Sequence, residues 1–226
     1  MSGEKLQEKL PERFAVLATD VVLFSIRDEV LNVLLIPINR PPYFTNAFGF
    51  PGGLILPDQT AEGSAASQLK DKVGINPEKI YFDQLRTFSE PDRDPRNRVV
   101  SVAFLGLVHN IVLSDPEKAL WKPYSKLPPL AYDHGEMKGV ALKKLRDLVV
   151  STNAIKFLLP YSFTLTELQQ AYEIVLGSEL DKRNFRKKVK ALDFVTETGK
   201  LQKNAAHRPA KLYKFSSRKI ASIELL

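Results

Sequence analysis

Arginine and aromatic side chains are concentrated in two segments of the first half of the chain, 39–50 and 90–97. A guanidinium group can hold a diphosphate through two parallel hydrogen bonds, and an aromatic ring can stack on an adenine. The two segments together predict a binding site for an anion that carries a diphosphate and an adenine. Its predicted contacts are Arg40, Tyr43, Phe44, Phe48, Arg93 and Arg96.

A second interpretation of these residues stays open. The aromatic side chains can belong to a hydrophobic core instead of a ligand site. Arg93 and Arg96 can pair with Asp92 and Asp94, and these pairs would fix the loop at 90–97.

Lys72 is a further candidate for anion binding, together with the backbone of Gly52 and Gly53. Backbone amides bind anions where no side chain blocks the approach, and lysine adds a full positive charge. Acting together, the three residues could hold an anion without a metal ion. The competing interpretation is that Lys72 is a solvated residue on a helix surface.

Positive charge is concentrated in the last third of the chain. Residues 151–226 contain 14 Lys and Arg against 7 Asp and Glu, whereas residues 1–150 contain 19 of each kind, and the net charge is +7. The densest run is DKRNFRKKVK at 181–190. A solvated basic face is one explanation. Concentration of the excess in one short region is more typical of a surface that follows a nucleic-acid backbone.

Strands and loops must position the residues of the first half. Apolar runs predict a hairpin of two strands and two later strands, at 15–26, 30–38, 79–89 and 98–108. Proline, glycine and aromatic residues predict a shaped loop at 39–51 and irregular structure at 118–132.

Four helices are predicted from capping residues and apolar spacing, at 61–73, 134–150, 165–176 and 182–192. Thr60 and Gly74 bound the first helix, a capping box at 164–167 opens the third, and Asp181 caps the fourth. The last two helices, followed by a possible hairpin at 194–215, give the outline of a winged helix-turn-helix.

Composition bounds the class of protein. The chain has 226 residues, 44% of them hydrophobic and 26% charged, which is enough for one large or two small globular domains. The absence of Cys excludes a disulfide framework and thiolate zinc sites. Neither a signal peptide nor a membrane span fits the N-terminal segment, so we expect a cytoplasmic protein without membrane contact. The change of pattern after residue 150 predicts two domains, 1–150 and 151–226.

The ordered motifs of the whole chain resemble the Nudix-related transcriptional regulator (NrtR) family. Residues Gly52 to Ile75 align without gaps with the Nudix box. The other segments that carry the resemblance are FPGG at 50–53, QLRTFSEPDRDPRNRVVSVAFL at 84–105, LAYDHGEM at 130–137, LLPYSFTLTELQQAYE at 158–173 and LDKRNFRKK at 180–188.

The resemblance implies an α+β protein: a Nudix-type α/β/α sandwich with a mixed sheet, followed by a winged helix-turn-helix domain. It also implies a bacterial homodimer that binds double-stranded operator DNA and represses genes related to NAD metabolism. The N-terminal domain would bind ADP-ribose or a related nucleotide, and this effector would weaken DNA binding. No cofactor is expected.

Active Nudix enzymes hold divalent cations with carboxylates of the box helix. The corresponding positions of this chain are Ser67, Gln68, Asp71 and Lys72. Because Mg²⁺ needs an oxygen-rich site, one Asp beside a cation is a poor ligand set. We therefore expect no catalytic residue, no metal site and no hydrolysis, unless ligands come from elsewhere, such as Asp58 or Glu62.

Two alternative functions remain open. A sugar-responsive regulator would share this architecture and differ only in its effector. An ADP-ribose or dinucleotide pyrophosphohydrolase would use its C-terminal domain for dimerisation or for RNA contact.

The fourth helix is assigned to DNA reading. Arg is the commonest reader of guanine edges, Asn184 can read adenine, and Lys more often meets phosphate. Phe185 is expected in the core, and cations of the wing are expected on the DNA backbone or in the minor groove. The predicted DNA-binding residues are Lys182, Arg183, Asn184, Arg186, Lys187 and Lys190 of the helix, with Arg208 and Lys211 of the wing.

Overall fold

A computed structural model describes residues 14–113, 115–202, 209–217, 219–223 and 225. The first half forms a seven-stranded mixed sheet in which the strand order is β3-β2-β1-β6-β5, with β4 paired to β1 and β7 paired to β2. The strands are β1 (Val16–Arg27), β2 (Val30–Arg40), β3 (Phe44–Gly49), β4 (Gly52–Leu54), β5 (Tyr81–Phe88), β6 (Val99–Leu107) and β7 (Leu120–Pro123).

The two central strands, β1 and β6, run parallel to each other from Val16 to Phe24 of β1, and β1 also forms the predicted antiparallel hairpin with β2. Both residues of the hairpin turn, Asp28 and Glu29, have positive φ values of 49° and 58°. The near-continuous apolar run of β6 is mostly buried, as expected for a strand with neighbours on both sides.

Helices α1 (Ala61–Val73) and α2 (His134–Ser151) cover opposite faces of the sheet. Successive side chains of a strand point to opposite faces, so Val21 and Leu23 pack in the core beneath α1, whereas Val22 and Phe24 pack in the core beneath α2. This arrangement confirms the predicted α/β/α sandwich with a mixed sheet.

The capping residues of α1 are those predicted from the sequence. The Thr60 hydroxyl accepts a hydrogen bond from the Gly63 amide at 3.0 Å, and Gly74 ends the helix with a φ of 70°. The left-handed backbone conformation at this position favours glycine, because most residues with a side chain would be strained in it.

Two loop predictions were wrong where the segments contain strands. Segment 39–51 contains β3, which pairs with β2 from Ile36 to Arg40, and segment 118–132 contains β7, which pairs with the other part of β2. Both are short edge strands whose pairing depends on β2, and this tertiary context outweighs their content of proline and glycine.

The C-terminal part consists of α3 (Leu165–Leu176), α4 (Lys182–Leu192) and a two-stranded ribbon of β8 (Val195–Leu201) and β9 (Lys211–Phe215). The predicted winged helix-turn-helix is therefore confirmed. In the capping box of α3, the Thr164 hydroxyl accepts from the Glu167 amide and the Glu167 carboxylate accepts from the Thr164 amide.

One buried core connects the two halves. Leu145 and Val149 of α2 belong to the same cluster as Leu168 and Tyr172 of α3. The boundary between residues 150 and 151 stays a prediction. Within the described part of the chain, no helix has the length and apolar character needed to cross a membrane.

Candidate functional site

A buried polar cluster is centred on Asp20, in the middle of β1. The Asp20 carboxylate accepts a hydrogen bond from the Ser101 hydroxyl at 2.6 Å and another from the Arg93 guanidinium at 3.3 Å. Burial by itself raises the pKa of Asp20, but His134, the Ser101 hydrogen bond and the charge of Arg93 together hold this pKa below its usual value. Asp20 is therefore a charged group in the interior of the domain.

Arg93 connects Asp20 to the beginning of α2. Its Nε and Nη2 atoms donate to the two oxygens of Asp133 at 2.8 and 2.7 Å, and the residue is only 7% exposed. Burial disfavours the charged guanidinium, yet the hydrogen bond to Asp133 and the charge of Asp20 raise the pKa of Arg93. Arg93 lies within the buried cluster, where it already contacts two carboxylates. The surface next to this cluster, formed by Arg40, Lys72, Arg96 and Tyr132, is called the cleft below.

His134, the first residue of α2, has a fixed orientation. Its Nδ1 atom accepts a hydrogen bond from the Phe50 amide at 3.0 Å, and the Phe50 and His134 rings stack at 5.0 Å. A ring nitrogen that accepts cannot carry a proton, so the neutral imidazole has its proton on Nε2. That atom lies 3.4 Å from Asp20 Oδ1.

Arg96 lies at the rim of the cleft. Its guanidinium donates to both oxygens of Asp94, at 2.9 and 2.7 Å, and lies 5.4 Å from the centre of the Tyr132 ring. The hydrogen bond to Asp94 raises the pKa of Arg96. The second interpretation of this loop predicted such a pair between an arginine and Asp94. The side chain of Arg96 nevertheless remains 37% exposed, so one face is accessible to a ligand.

The aromatic residues of segment 39–50 occupy different environments. Phe44 contacts Tyr132 edge to face, with ring centroids 4.6 Å apart, while Phe48 is half-buried and packs against the core. The Phe48 carbonyl also accepts a hydrogen bond from the Ala131 amide at 2.8 Å. Arg40 is exposed at the end of β2. Segment 39–50 and the segment before α2 therefore meet at Tyr132.

Lys72, on the last turn of α1, donates a hydrogen bond from its ammonium to the Gly52 carbonyl. Burial lowers the pKa of Lys72, Asp20 counteracts this effect, and Arg40 adds to it. The three charged groups are therefore neighbours within one cleft. Lys72 remains exposed overall, so an incoming anion can reach its ammonium.

Close packing restricts both glycines of the predicted anion site, more strictly at Gly52 than at Gly53. A Cβ atom at Gly52 would lie 2.2 Å from Asp20 Oδ1 and 2.3 Å from the Thr19 carbonyl. A Cβ atom at Gly53 would lie 2.5 Å from Gln68 Oε1, because the Gln68 side chain covers this glycine. A larger residue at Gly52 would push β4 away from β1, and one at Gly53 would displace the Gln68 side chain.

Among the described residues, no group of three His, Asp or Glu side chains is arranged to hold a metal ion. The Ser67 hydroxyl donates to the Ser64 carbonyl of its own helix at 3.0 Å, and Asp71 is exposed. Asp58 and Glu62, the alternative ligands, are also exposed.

The second candidate surface is the outer face of α4. Phe185 and Val189 are 2% and 1% exposed, and the Phe185 ring contacts Tyr172 at 5.6 Å, so the predicted core position of Phe185 is confirmed. The exposed residues of the opposite face are Lys182, Arg183, Asn184, Lys187, Lys188 and Lys190. These five cations and Asn184 form the surface called the basic face of α4 below.

Two other predicted DNA contacts, Arg186 and Lys211, form contacts within the protein. Arg186 is half-buried, and its Nη2 atom donates to the Thr166 hydroxyl at 3.4 Å. Lys211 on β9 forms an exposed ion pair with Glu197 at 3.0 Å, and the Tyr213 hydroxyl donates to the same carboxylate at 3.1 Å. Arg208 lies outside the described residues.

Several residues of the cleft were missed by the sequence predictions. Asp20, Ser101, Tyr132, Asp133 and His134 carry most of its contacts. A signal was present for the first two, because each is a polar residue inside an apolar run that predicts a buried strand. The other three lie in LAYDHGEM, a segment used only for the family resemblance.

Comparison with known proteins gives consistent matches. Residues 155–215 match the family described as NrtR DNA-binding winged helix domain. The structure of Shewanella oneidensis NrtR complexed with a 27mer DNA is similar with a TM-score of 0.77 and 31% identity, covering 88% of this chain and 93% of that one. An ADP-ribose pyrophosphatase of Methanocaldococcus jannaschii is 33% identical over 117 residues, which cover 50% of this chain and 68% of the enzyme.

A curated protein of Acinetobacter baylyi, the ADPR responsive transcriptional repressor NtrR, is 31% identical over 209 residues. The match covers 89% of this chain and 82% of the Acinetobacter protein, so it includes both the sheet domain and the winged helix. Together with the folded sandwich and the basic face of α4, these matches show that the chain belongs to the NrtR family of Nudix-related transcriptional regulators.

Proposed function

We propose that this chain is a transcriptional repressor whose winged helix binds double-stranded operator DNA and whose Nudix-like domain binds ADP-ribose or a related nucleotide. Nucleotide binding lowers the affinity for DNA. The observation that carries the proposal is the presence, in one chain, of an exposed basic helix and a cleft of cations and aromatic rings. The Acinetobacter relative is named as an ADPR responsive repressor, and the structure of the Shewanella relative was solved with DNA. Both support the proposal.

The DNA-binding half acts as a homodimer in this proposal. One small helix-turn-helix gives modest affinity, whereas a two-fold axis doubles the contacts and matches a palindromic site. The expected operators lie upstream of genes related to NAD metabolism, in the bacterial cytoplasm where the DNA is. No cofactor is needed beyond the effector.

The cleft binds its nucleotide without hydrolysing it. Lys72 stands where a Nudix enzyme has a metal-binding glutamate, and its charge attracts the diphosphate directly. Arg40 and Arg96 add exposed cations at the rim. The Lys72 hydrogen bond to the Gly52 carbonyl would be exchanged for a stronger one to a phosphate oxygen.

The deciding experiment is fluorescence anisotropy of the purified protein on its own upstream DNA and on scrambled DNA, with and without ADP-ribose, at two salt concentrations. Specific binding that ADP-ribose releases is the expected result. Specific binding that ADP-ribose leaves unchanged would favour a sugar or another nucleotide as effector. Binding of equal strength to both DNAs, with no salt dependence, would contradict the proposal.

A second candidate function is hydrolysis of ADP-ribose, favoured by the 33% identity to the archaeal pyrophosphatase. A phosphate-release assay with Mg²⁺ or Mn²⁺, coupled to a phosphatase that acts on the products, separates the two functions. We expect no turnover above that of a protein-free control, because Asp71, next to Lys72, is the one carboxylate at the metal-binding positions of the box.

A further inference from the structure

Tyr132 has an unusual backbone conformation at the centre of the cleft. Its φ is +56°, a region that bulky L-residues rarely adopt, and such residues are concentrated at functional sites. Its ring contacts Phe44 at 4.6 Å and His134 at 5.3 Å, and the Arg96 guanidinium lies 5.4 Å away. Tyr132 is only half-buried, so a ligand held by Arg96 would also touch its ring.

The residues that follow Tyr132 fix the beginning of α2 to the buried cluster. Asp133 occupies the N-cap position, yet its carboxylate makes no cap hydrogen bond and instead pairs with Arg93. His134 is held by the Phe50 amide. A displacement of Tyr132 therefore acts on a helix end whose first two residues are fixed to the sheet domain by side-chain contacts.

The same helix contacts the DNA-binding domain about 20 Å further along, since about fourteen residues separate Tyr132 from Arg146 at about 1.5 Å per residue. The Arg146 Nε atom donates to the Val175 carbonyl at 3.0 Å. The Nη2 atom lies close to Gly177, the left-handed residue that ends α3. Arg146 thus holds the end of α3 just before the turn that leads into α4.

We propose that Tyr132 contacts the bound effector and that α2 carries its displacement to α3 through Arg146, which changes the position of the basic face of α4. The inference rests on the proposed function, because it requires a nucleotide in the cleft and DNA on α4. Tyr132 is a binding residue, and Arg146 is a positioning residue that touches neither ligand.

The test measures coupling, which is the ratio of the Kd for DNA with saturating ADP-ribose to the Kd for DNA without it. Coupling between two sites typically amounts to about 5- to 150-fold. In Arg146→Met, which keeps an apolar stem, we expect both individual affinities within about threefold of wild type and coupling reduced towards 1. Lys143→Met is the matched control, because Lys143 is an exposed cation on the same helix.

The same coupling can be checked from the ligand side, because the effects of two ligands on each other's binding are reciprocal. DNA must weaken ADP-ribose binding by the same factor by which ADP-ribose weakens DNA binding. We expect calorimetry on the Arg146→Met protein to show that saturating DNA no longer changes the Kd for ADP-ribose. If this variant does not fold, Arg146→Lys, which cannot reproduce the planar guanidinium contact, answers the same question.

The role of Tyr132 in effector binding is tested with Tyr132→Asn, because asparagine tolerates positive φ and the substitution removes the ring. We expect its affinity for ADP-ribose to fall about tenfold or more, the decrease typical of removing an aromatic stacking partner. Full wild-type coupling in Arg146→Met, or wild-type ADP-ribose affinity in Tyr132→Asn, would overturn the inference. A wild-type protein whose DNA binding ignores ADP-ribose would instead overturn the proposed function.

Discussion

Asp20 determines how the buried cluster is charged. A carboxylate in the interior is tolerated only when hydrogen bonds and opposite charges compensate for the hydration that burial removes. His134, Ser101 and Arg93 supply them here, at 3.4, 2.6 and 3.3 Å from the oxygens of the Asp20 carboxylate. The cluster joins β1, β6, the loop at 90–97 and α2, so one residue ties four parts of the domain together.

Asp20→Asn should destabilise the protein by about 3 kcal/mol at pH 7, because the substitution leaves Arg93 without one of its partners in the interior. The pKa of Asp20 is lowered in the folded state, so its contribution is complete above the unfolded value of about 3.9 and is lost as the pH falls below it. Urea unfolding at a series of pH values should show the difference between wild type and variant shrinking below about pH 4. A constant difference down to the acid limit would contradict a charged Asp20.

Lys72→Glu places a carboxylate back at the position where Nudix enzymes have one. Without a metal ion, this carboxylate should repel a diphosphate, and we expect ADP-ribose affinity in EDTA to fall about tenfold or more, as measured by calorimetry. Lys70→Glu is the control, because Lys70 is an exposed cation of the same helix turn. Unchanged or higher affinity in the Lys72 variant would show that Lys72 is only a solvated helix residue.

At the scale of elements, end residues determine where the helices begin and stop. In the capping box of α3, the amides of Thr164 and Glu167 each donate a hydrogen bond to a side chain. Gly177 ends the helix with a φ of 73°. The turn that follows is fixed by Glu173, whose carboxylate accepts from the Leu180 amide and from Gln169, both at 2.9 Å. These contacts set the angle between α3 and α4, which a helix-turn-helix needs for DNA binding.

Thr164→Ala should lower the free energy of unfolding by about 1 kcal/mol, the usual effect of removing an N-cap hydroxyl. Thr164→Ser keeps the hydroxyl and should retain most of the stability. Denaturant unfolding of the three proteins measures both values. Equal destabilisation in the two variants would mean that the Thr164 methyl group, and not the cap, stabilises α3.

At the scale of the whole molecule, the two halves differ in charge and are joined by one core. The first 150 residues contain 19 cationic and 19 anionic residues, so the excess of +7 lies on the half that carries α4. A neutral sensor adds little nonspecific attraction to DNA, whereas the basic half attracts the phosphate backbone at long range. The continuous core through α2 lets a change in one half reach the other.

DNA affinity should fall steeply with salt, as expected when about 6 to 10 phosphates are neutralised per dimer. Arg183→Ala removes an exposed cation of the basic face of α4 and should make the slope of log K against log salt shallower by about 1 for each phosphate that is no longer neutralised. Lys143→Ala, on α2, should leave the slope unchanged. Anisotropy titrations at a series of salt concentrations measure these slopes, and identical slopes in wild type and Arg183→Ala would place this residue off the DNA.

The helices could be predicted closely from the sequence because their end signals are local. Thr60, Gly74, Thr164 and Asp181 each act on amides or carbonyls within a few residues, and the structure confirms all four. The edge strands β3 and β7 could not be predicted, because their hydrogen bonds depend on where β2 lies. The exposed face of α4 followed from helical periodicity, whereas the engagement of Arg186 with Thr166 depends on the packing of α3 against α4.

The sequence by itself determined the four helices, the winged helix, the basic face of α4 and the loss of the box glutamates, since all of these depend on residue type and short-range spacing. Only the tertiary structure decided which polar groups meet in the cleft. Asp20, Arg93 and Asp133 are far apart along the chain, and they come together because parallel pairing of β1 with β6 and packing of α2 on the sheet bring them to one point. Long-range contacts of this kind leave no periodic pattern in the sequence.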